Sequence, residues 1–151
     1  MSKRNKIVVV DDNRGVLAAV SLLLRPYFNQ VITLQSPVRL EEVLRDGVPD
    51  CLLLDMNFSA GINTGNEGIY WLNRVKRLYP DLPVVLFTAY GDIDLAVRGM
   101  KEGAVDFIIK QRCFFHIEFL HSLYTAHLFV ITQSHESGIY RKNRRSIEHG
   151  T

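Results

Sequence analysis

The chain has 151 residues, 47% of them apolar, and carries 18 Lys and Arg against 16 Asp and Glu. That suits one domain around a single core and excludes a disordered chain, while a net charge of +2 supplies no global field for nucleic acid or membrane. Cys51 and Cys113 make neither a disulfide framework nor a zinc site, and no apolar run approaches the length of a membrane span.

The opening MSKRNKIVVVDD is basic and then apolar for only four residues, too short for a signal peptide. Residues 5–10 predict a first strand whose Val run lacks alternation, as in a parallel-sheet strand buried on both faces. Asn13 caps a predicted helix over 14–26, where Val16, Leu17, Val20, Leu23 and Leu24 repeat at helical spacing and Pro26 marks the end. Residues 30–34 predict a second, less apolar strand. Ser36-Pro37 reads as an N-cap followed by Pro at the first helical position, opening a helix to Asp46 that Gly47 terminates. Cys51–Asp55 is the third strand, and Cys51 is expected to be core packing.

The segment 56–68 is rich in Gly and Asn and predicts a loop with more than one turn. Ile69, Leu72, Val75 and Leu78 mark a helix over 68–79, stopped by Pro80. Pro83–Thr88 is the fourth strand, Asp92–Lys101 a helix ended by Gly103, and Asp106–Lys110 the fifth strand. Cys113–Thr132 predicts a long helix, apolar over a wide arc, part covering the sheet and part open to a partner. From Ser134 the chain is polar, with the basic cluster Arg141–Arg145. The expected division is a domain over 1–133 and a flexible polar tail over 134–151.

Strands alternating with helices are the rhythm of a mostly parallel α/β sheet covered on both faces. Ligands of such sheets bind outside the carboxyl ends of the strands. Four strands end there in polar groups: Asp11-Asp12, Asp55, Thr88 and Lys110. Three carboxylates, a hydroxyl and an ammonium are the chemistry of a small metal-and-phosphate site centred on Asp55. Each has a blander reading. A lone Asp after a strand caps a loop, Asp11-Asp12 can serve the dipole of the following helix, and Lys110 can snorkel at the surface. Agreement among four strand ends favours the site. His116, His121, His127, His135 and His149 match no metal-ligand spacing, and the Arg141–Arg145 cluster reads as a solvated tail.

In this order, Asp11-Asp12, Leu52-Leu53-Leu54-Asp55, Leu86-Phe87-Thr88-Ala89-Tyr90-Gly91 and Gly103-Ala104-Val105-Asp106-Phe107-Ile108-Ile109-Lys110 resemble the receiver domain of a two-component response regulator. The nearest flavour is the receivers of sigma-54-dependent (NtrC-like) transcriptional regulators, and the likeness covers residues 5–110. It implies a flavodoxin/CheY-like, doubly wound, five-stranded parallel sheet in three α/β/α layers, with strand order 2-1-3-4-5. It makes Asp55 the phosphoacceptor, and Asp11, Asp12, Asp55 and the carbonyl of Asn57 the ligands of Mg2+. Thr88 and Lys110 would act on the phosphoryl group, and Thr88 and Phe107 would report its arrival as switch residues.

The implied partner is a sensor histidine kinase, with a homodimer through the last helix or through the face of the fourth helix and fifth strand. The implied location is the cytoplasm, without membrane or direct nucleic-acid contact. Self-catalysed acceptance at Asp55 is not turnover, so no enzyme is expected, and output would reach transcription through a partner or a missing domain. The loop after Asp55 is longer than the family's usual one, and Gln111 replaces the family's Pro after Lys110. The last predicted helix also lacks the family's mixed polar and apolar pattern, and with Gln111 it motivates one alternative, a phosphorylation-independent pseudo-receiver acting as an interaction module. A haloacid-dehalogenase-like hydrolase also uses a strand-end Asp, but it needs a second Asp where this chain has Asn57.

Overall fold

The structure, a computed structural model, describes residues 5–58, 66–88 and 93–110. Its elements are β1 (Lys6–Val10), α1 (Arg14–Leu24), β2 (Gln30–Leu34), α2 (Leu40–Asp46), β3 (Cys51–Asp55), α3 (Asn66–Leu78), β4 (Val84–Thr88), α4 (Ile93–Lys101) and β5 (Asp106–Ile109). The strands form one sheet in the order β2-β1-β3-β4-β5. Every pairing is parallel. This is the expected three-layer α/β/α fold.

The missing alternation in the strands has a simple cause. Side chains point to opposite faces with a period of two, and both faces of this sheet are covered. Ile7, Val9, Cys51, Leu53, Val85 and Phe87 enter a core with Leu17, Val20 and Leu24 of α1. Val8, Val10, Leu52, Leu54, Val84 and Leu86 enter a second core with Leu40 and Leu44 of α2 and Ile69, Leu72 and Val75 of α3. β2 lies at one edge and carries the weaker apolar pattern, with Gln30 and Thr33 exposed. Cys51 is fully buried, which pushes its thiol pKa up to about 12 and keeps it inert as packing.

Local chemistry sets the element ends. The Asn13 side chain accepts a hydrogen bond from Val16 N at 3.0 Å, capping α1. Gly103 closes the end of α4 at φ 113°, a left-handed conformation that glycine adopts without a Cβ clash. Several element ends shift by one or two residues from expectation, α1 stopping at Leu24 and α3 opening at Asn66, and two local details differ in kind. The segment after Ser36 is a short 3-10 turn, Pro37–Arg39, and α2 begins only at Leu40. The tighter turn is closed by Leu40 N donating to Pro37 O, and Pro37 and Leu40 are both buried. Gly47 is extended, at φ 160°, so α2 does not end on a left-handed glycine. Instead, the Lys6 ammonium donates to Gly47 O at 2.9 Å and holds the turn.

The β4–β5 ladder closes with Thr88 opposite Ile109, so Lys110 stands just past the fifth strand rather than in it. The expectations for the Cys113–Thr132 helix, the 134–151 tail, Gln111 and the centre of the 56–68 loop fall outside the described residues.

Candidate functional site

Strand order and direction bring the carboxyl ends of β1, β3, β4 and β5 side by side. Asp11 follows β1, Asp55 ends β3, Thr88 ends β4 and Lys110 follows β5. Asp11, Asp55 and Thr88 are buried, while Asp12 is exposed. Backbone bonds hold the two strand ends in place. Asp11 N donates to Leu34 O at 3.0 Å, and Met56 N donates to Phe87 O at 3.1 Å.

The Lys110 ammonium bridges two of the acids, 2.8 Å from Asp11 Oδ2 and 3.0 Å from Asp55 Oδ1. Asn13 N donates to Asp11 Oδ1 at 2.9 Å, and Asn57 N donates to Asp55 Oδ1 at 3.3 Å. The other oxygen, Asp55 Oδ2, is buried and has no hydrogen-bond partner. One oxygen of Asp55 is therefore held from two sides and the other is buried without a hydrogen bond. An unpaired buried acceptor costs stability, and a cation or a phosphorus electrophile is the kind of group that relieves it.

Burial dominates the electrostatics and pushes the Asp55 pKa up to about 6. Lys110 pulls against that shift, and the charge of Asp11 adds to it. The Asp12 pKa is also raised, by partial desolvation and then by the neighbouring charge of Asp11. Burial of Lys110 favours its neutral form, but its hydrogen bond to Asp11 and the charges of Asp55 and Asp11 outweigh this. Its pKa is raised and it stays an ammonium. Among the described residues, one cation thus faces three acids.

Single oxygens of Asp11, Asp12 and Asp55 lie within 4.8 Å of one another. All three donors are hard oxygens, one acid is exposed, and one buried oxygen has no partner, which fits a hard divalent cation that keeps part of its hydration. The expected Asp11, Asp12 and Asp55 are therefore brought together, with Asn57 beside them through its backbone N–H. Phe107 is half-buried and packs against the core on the α2–α3 face.

Two contributors escape a reading of the sequence. The Phe87 ring lies 5.3 Å from the Lys110 ammonium, close enough for a cation–π attraction that steers the side chain. Asn13, expected only as a helix cap, also orients Asp11 through its N–H. Inward Phe in a buried strand gives no local sign of such a contact, whereas an Asn two residues after a strand-end Asp is a turn signal that could have been read.

The described residues contain no helix long and apolar enough to cross a membrane. Residues 7–118 match the family model of the response regulator receiver domain. The transcriptional regulatory protein ZraR of Klebsiella oxytoca is 31% identical over 121 residues, which cover 80% of this chain and 26% of that protein. The DNA-binding transcriptional regulator NtrC of Escherichia coli K12 is 30% identical over 108 residues, 72% of this chain and 22% of that protein. The chain thus spans about a quarter of the length of these curated relatives. The crystal structure of the N-terminal signal receiver domain of a two-component system response regulator from Bacteroides fragilis superposes with a TM-score of 0.71. It is 53% identical, and the match covers 83% of this chain and 98% of that one.

Proposed function

The chain belongs to the response regulator receiver family, and from that premise we propose that it is a phosphoryl-accepting signalling switch with Asp55 as the acceptor. The observation that carries this reading is the division of labour at Asp55. Oδ1 is anchored by Lys110 and Asn57 N, and Oδ2 is buried without a partner at the mouth of the sheet.

The step is an in-line displacement. An Asp55 oxygen forms a bond to phosphorus as the bond from phosphorus to the donor's leaving atom breaks. With a histidine kinase that atom is an imidazole nitrogen, which departs and takes up a proton from solvent. The product is an acyl phosphate. Asp11, Asp12, Asp55 and the Asn57 carbonyl are the proposed ligands of Mg2+. When bound, Mg2+ supplies positive charge to the phosphoryl oxygens. Lys110 already sits between Asp11 and Asp55 and offers its ammonium to the same oxygens. Thr88, at the end of the adjacent strand, offers its hydroxyl to the phosphorylated group.

Phe107 is the proposed reporter of that contact, repacking against the core beside α4 and β5. The α4 surface suits a second copy of the chain as the receiver of the signal, because Ile93, Val97 and Met100 are exposed along one stripe. Regulation of transcription is the proposed output, through a partner or a further segment. The protein takes one phosphoryl group per molecule and does not turn over substrate as an enzyme does.

Intact-mass measurement after incubation with Mg2+ and acetyl phosphate tests the proposal. The expected result is a gain of one hydroxylamine-labile phosphoryl group that disappears in Asp55→Asn. No gain with several donors would favour the phosphorylation-independent interaction module. Sustained phosphate release from unrelated phosphoesters would favour a hydrolase.

A further inference from the structure

Gly68 touches the backbone directly behind Asp55. Its N–H donates to Met56 O at 3.2 Å, while Met56 N donates to Phe87 O at 3.1 Å. Met56 is therefore tied to β4 on one side and to the first turn of α3 on the other, and it is fully buried. Glycine is what allows the approach. A Cβ at position 68 would lie 2.6 Å from both Cα and O of Met56 and 2.9 Å from its carbonyl carbon. These are backbone atoms, so no side chain can swing aside to make room.

The consequence reaches the site in one step. Met56 sits between Asp55 and Asn57, whose N–H holds Asp55 Oδ1 at 3.3 Å. We infer that Gly68 is a positioning residue for phosphoryl acceptance: by letting α3 clasp Met56, it sets the two peptide planes that aim the Asp55 carboxylate. The clasp also ties together the two ends of the long segment after Asp55, so that its composition and length need not disturb the acceptor. This inference rests on Asp55 being the acceptor.

An Ala at 68 needs a retreat of roughly 0.8 Å before Met56 reaches ordinary van der Waals contact at 3.4 Å. Displacements of that order at a reacting group slow chemistry by about 10- to 100-fold. Loss of α3 packing alone would lower stability without a selective effect on the site. Val75→Ala is the comparison, since Val75 is buried in the same helix two turns away.

The test compares wild type, Gly68→Ala and Val75→Ala as full chains. It measures acetyl phosphate uptake across a Mg2+ series, Mg2+ affinity by calorimetry, and urea stability. The expected result is a Gly68→Ala rate at least about tenfold lower and Mg2+ binding weakened about threefold or more. Val75→Ala should lose comparable stability yet stay within about twofold of wild type on both. Equal effects in the two variants, or a wild-type rate in Gly68→Ala, overturn the inference. If wild type takes up no phosphoryl group, the proposed function fails, and Mg2+ affinity alone decides the role of Gly68 by the same comparison. If Gly68→Ala does not fold, exchange of the Gly68 amide in wild type decides. Protection that rises on Mg2+ binding supports the clasp, and unchanged protection overturns it.

Discussion

Replacing Asp55 by Asn should make the metal-free protein more stable, although it removes the residue on which the proposed chemistry depends. The sign follows from the environment of the carboxyl. In the unfolded chain an Asp titrates near pH 3.9, whereas burial in the fold pushes Asp55 up to about 6. A raised acid favours the fold at low pH and loses that contribution as pH rises through the folded value, because the ionised form is worse solvated in the fold than outside it. At about 1.36 kcal/mol for each tenfold in the protonation equilibrium, the ionised carboxylate costs the fold up to about 3 kcal/mol at pH 7.5. Asparagine keeps the shape and carries no charge, and Lys110 retains Asp11 at 2.8 Å. After allowance for imperfect amide hydrogen bonding, the expected gain is about 1–3 kcal/mol.

The assay is urea unfolding in EDTA at pH 4.5 and 7.5. The gap between variant and wild type should be small at the lower pH and largest at the higher. Mg2+ at ten times its dissociation constant should restore about 1.4 kcal/mol to wild type and little to the variant. A variant less stable than wild type at pH 7.5, or a gap that does not shrink towards pH 4.5, would refute the argument that desolvation governs Asp55.

Lys110→Ala leaves Asp11 and Asp55 without their shared counter-charge. It should lower urea stability at pH 7.5 by about 1–3 kcal/mol and slow acetyl phosphate uptake about 100-fold or more, and a rate within threefold of wild type would remove Lys110 from the mechanism. Asn13→Ala deletes the α1 cap and should cost about 1 kcal/mol by urea unfolding, with a smaller effect on uptake because the residue-13 N–H still reaches Asp11. Val97→Glu places a charge in the exposed α4 stripe. Sedimentation should show weaker self-association of the phosphorylated protein with stability within about 0.5 kcal/mol of wild type, and an unchanged oligomeric state would show that this stripe is not the interface.

Much of the architecture was legible because its causes are local. A half-solvated strand alternates apolar with polar residues, so the unbroken apolar runs at Ile7–Val10, Leu52–Leu54 and Val84–Phe87 announce strands covered on both faces. The cap at Asn13 and the left-handed glycine at Gly103 were equally readable. The 3-10 turn at Pro37–Arg39 was not, since a Pro after a Ser suits the start of either helix type and burial of Pro37 and Leu40 chose between them. The clasp between Gly68 and Met56 was hidden for a similar reason. A glycine after a Gly- and Asn-rich loop looks like one more turn residue, and only the approach of α3 to the end of β3 shows which neighbour excludes a Cβ.

By itself, then, the sequence determined that four apolar strands end in Asp11-Asp12, Asp55, Thr88 and Lys110, because hydrophobic periodicity and strand ends are written in consecutive residues. It did not determine which atoms meet. The parallel order β1-β3-β4-β5 places Lys110 between Asp11 and Asp55 rather than beside one of them. Burial raises the Asp55 pKa to about 6, and one oxygen is anchored while the other is buried without a hydrogen bond. Distance, desolvation and hydrogen-bond direction depend on residues far apart in the chain, so only the tertiary structure could decide them.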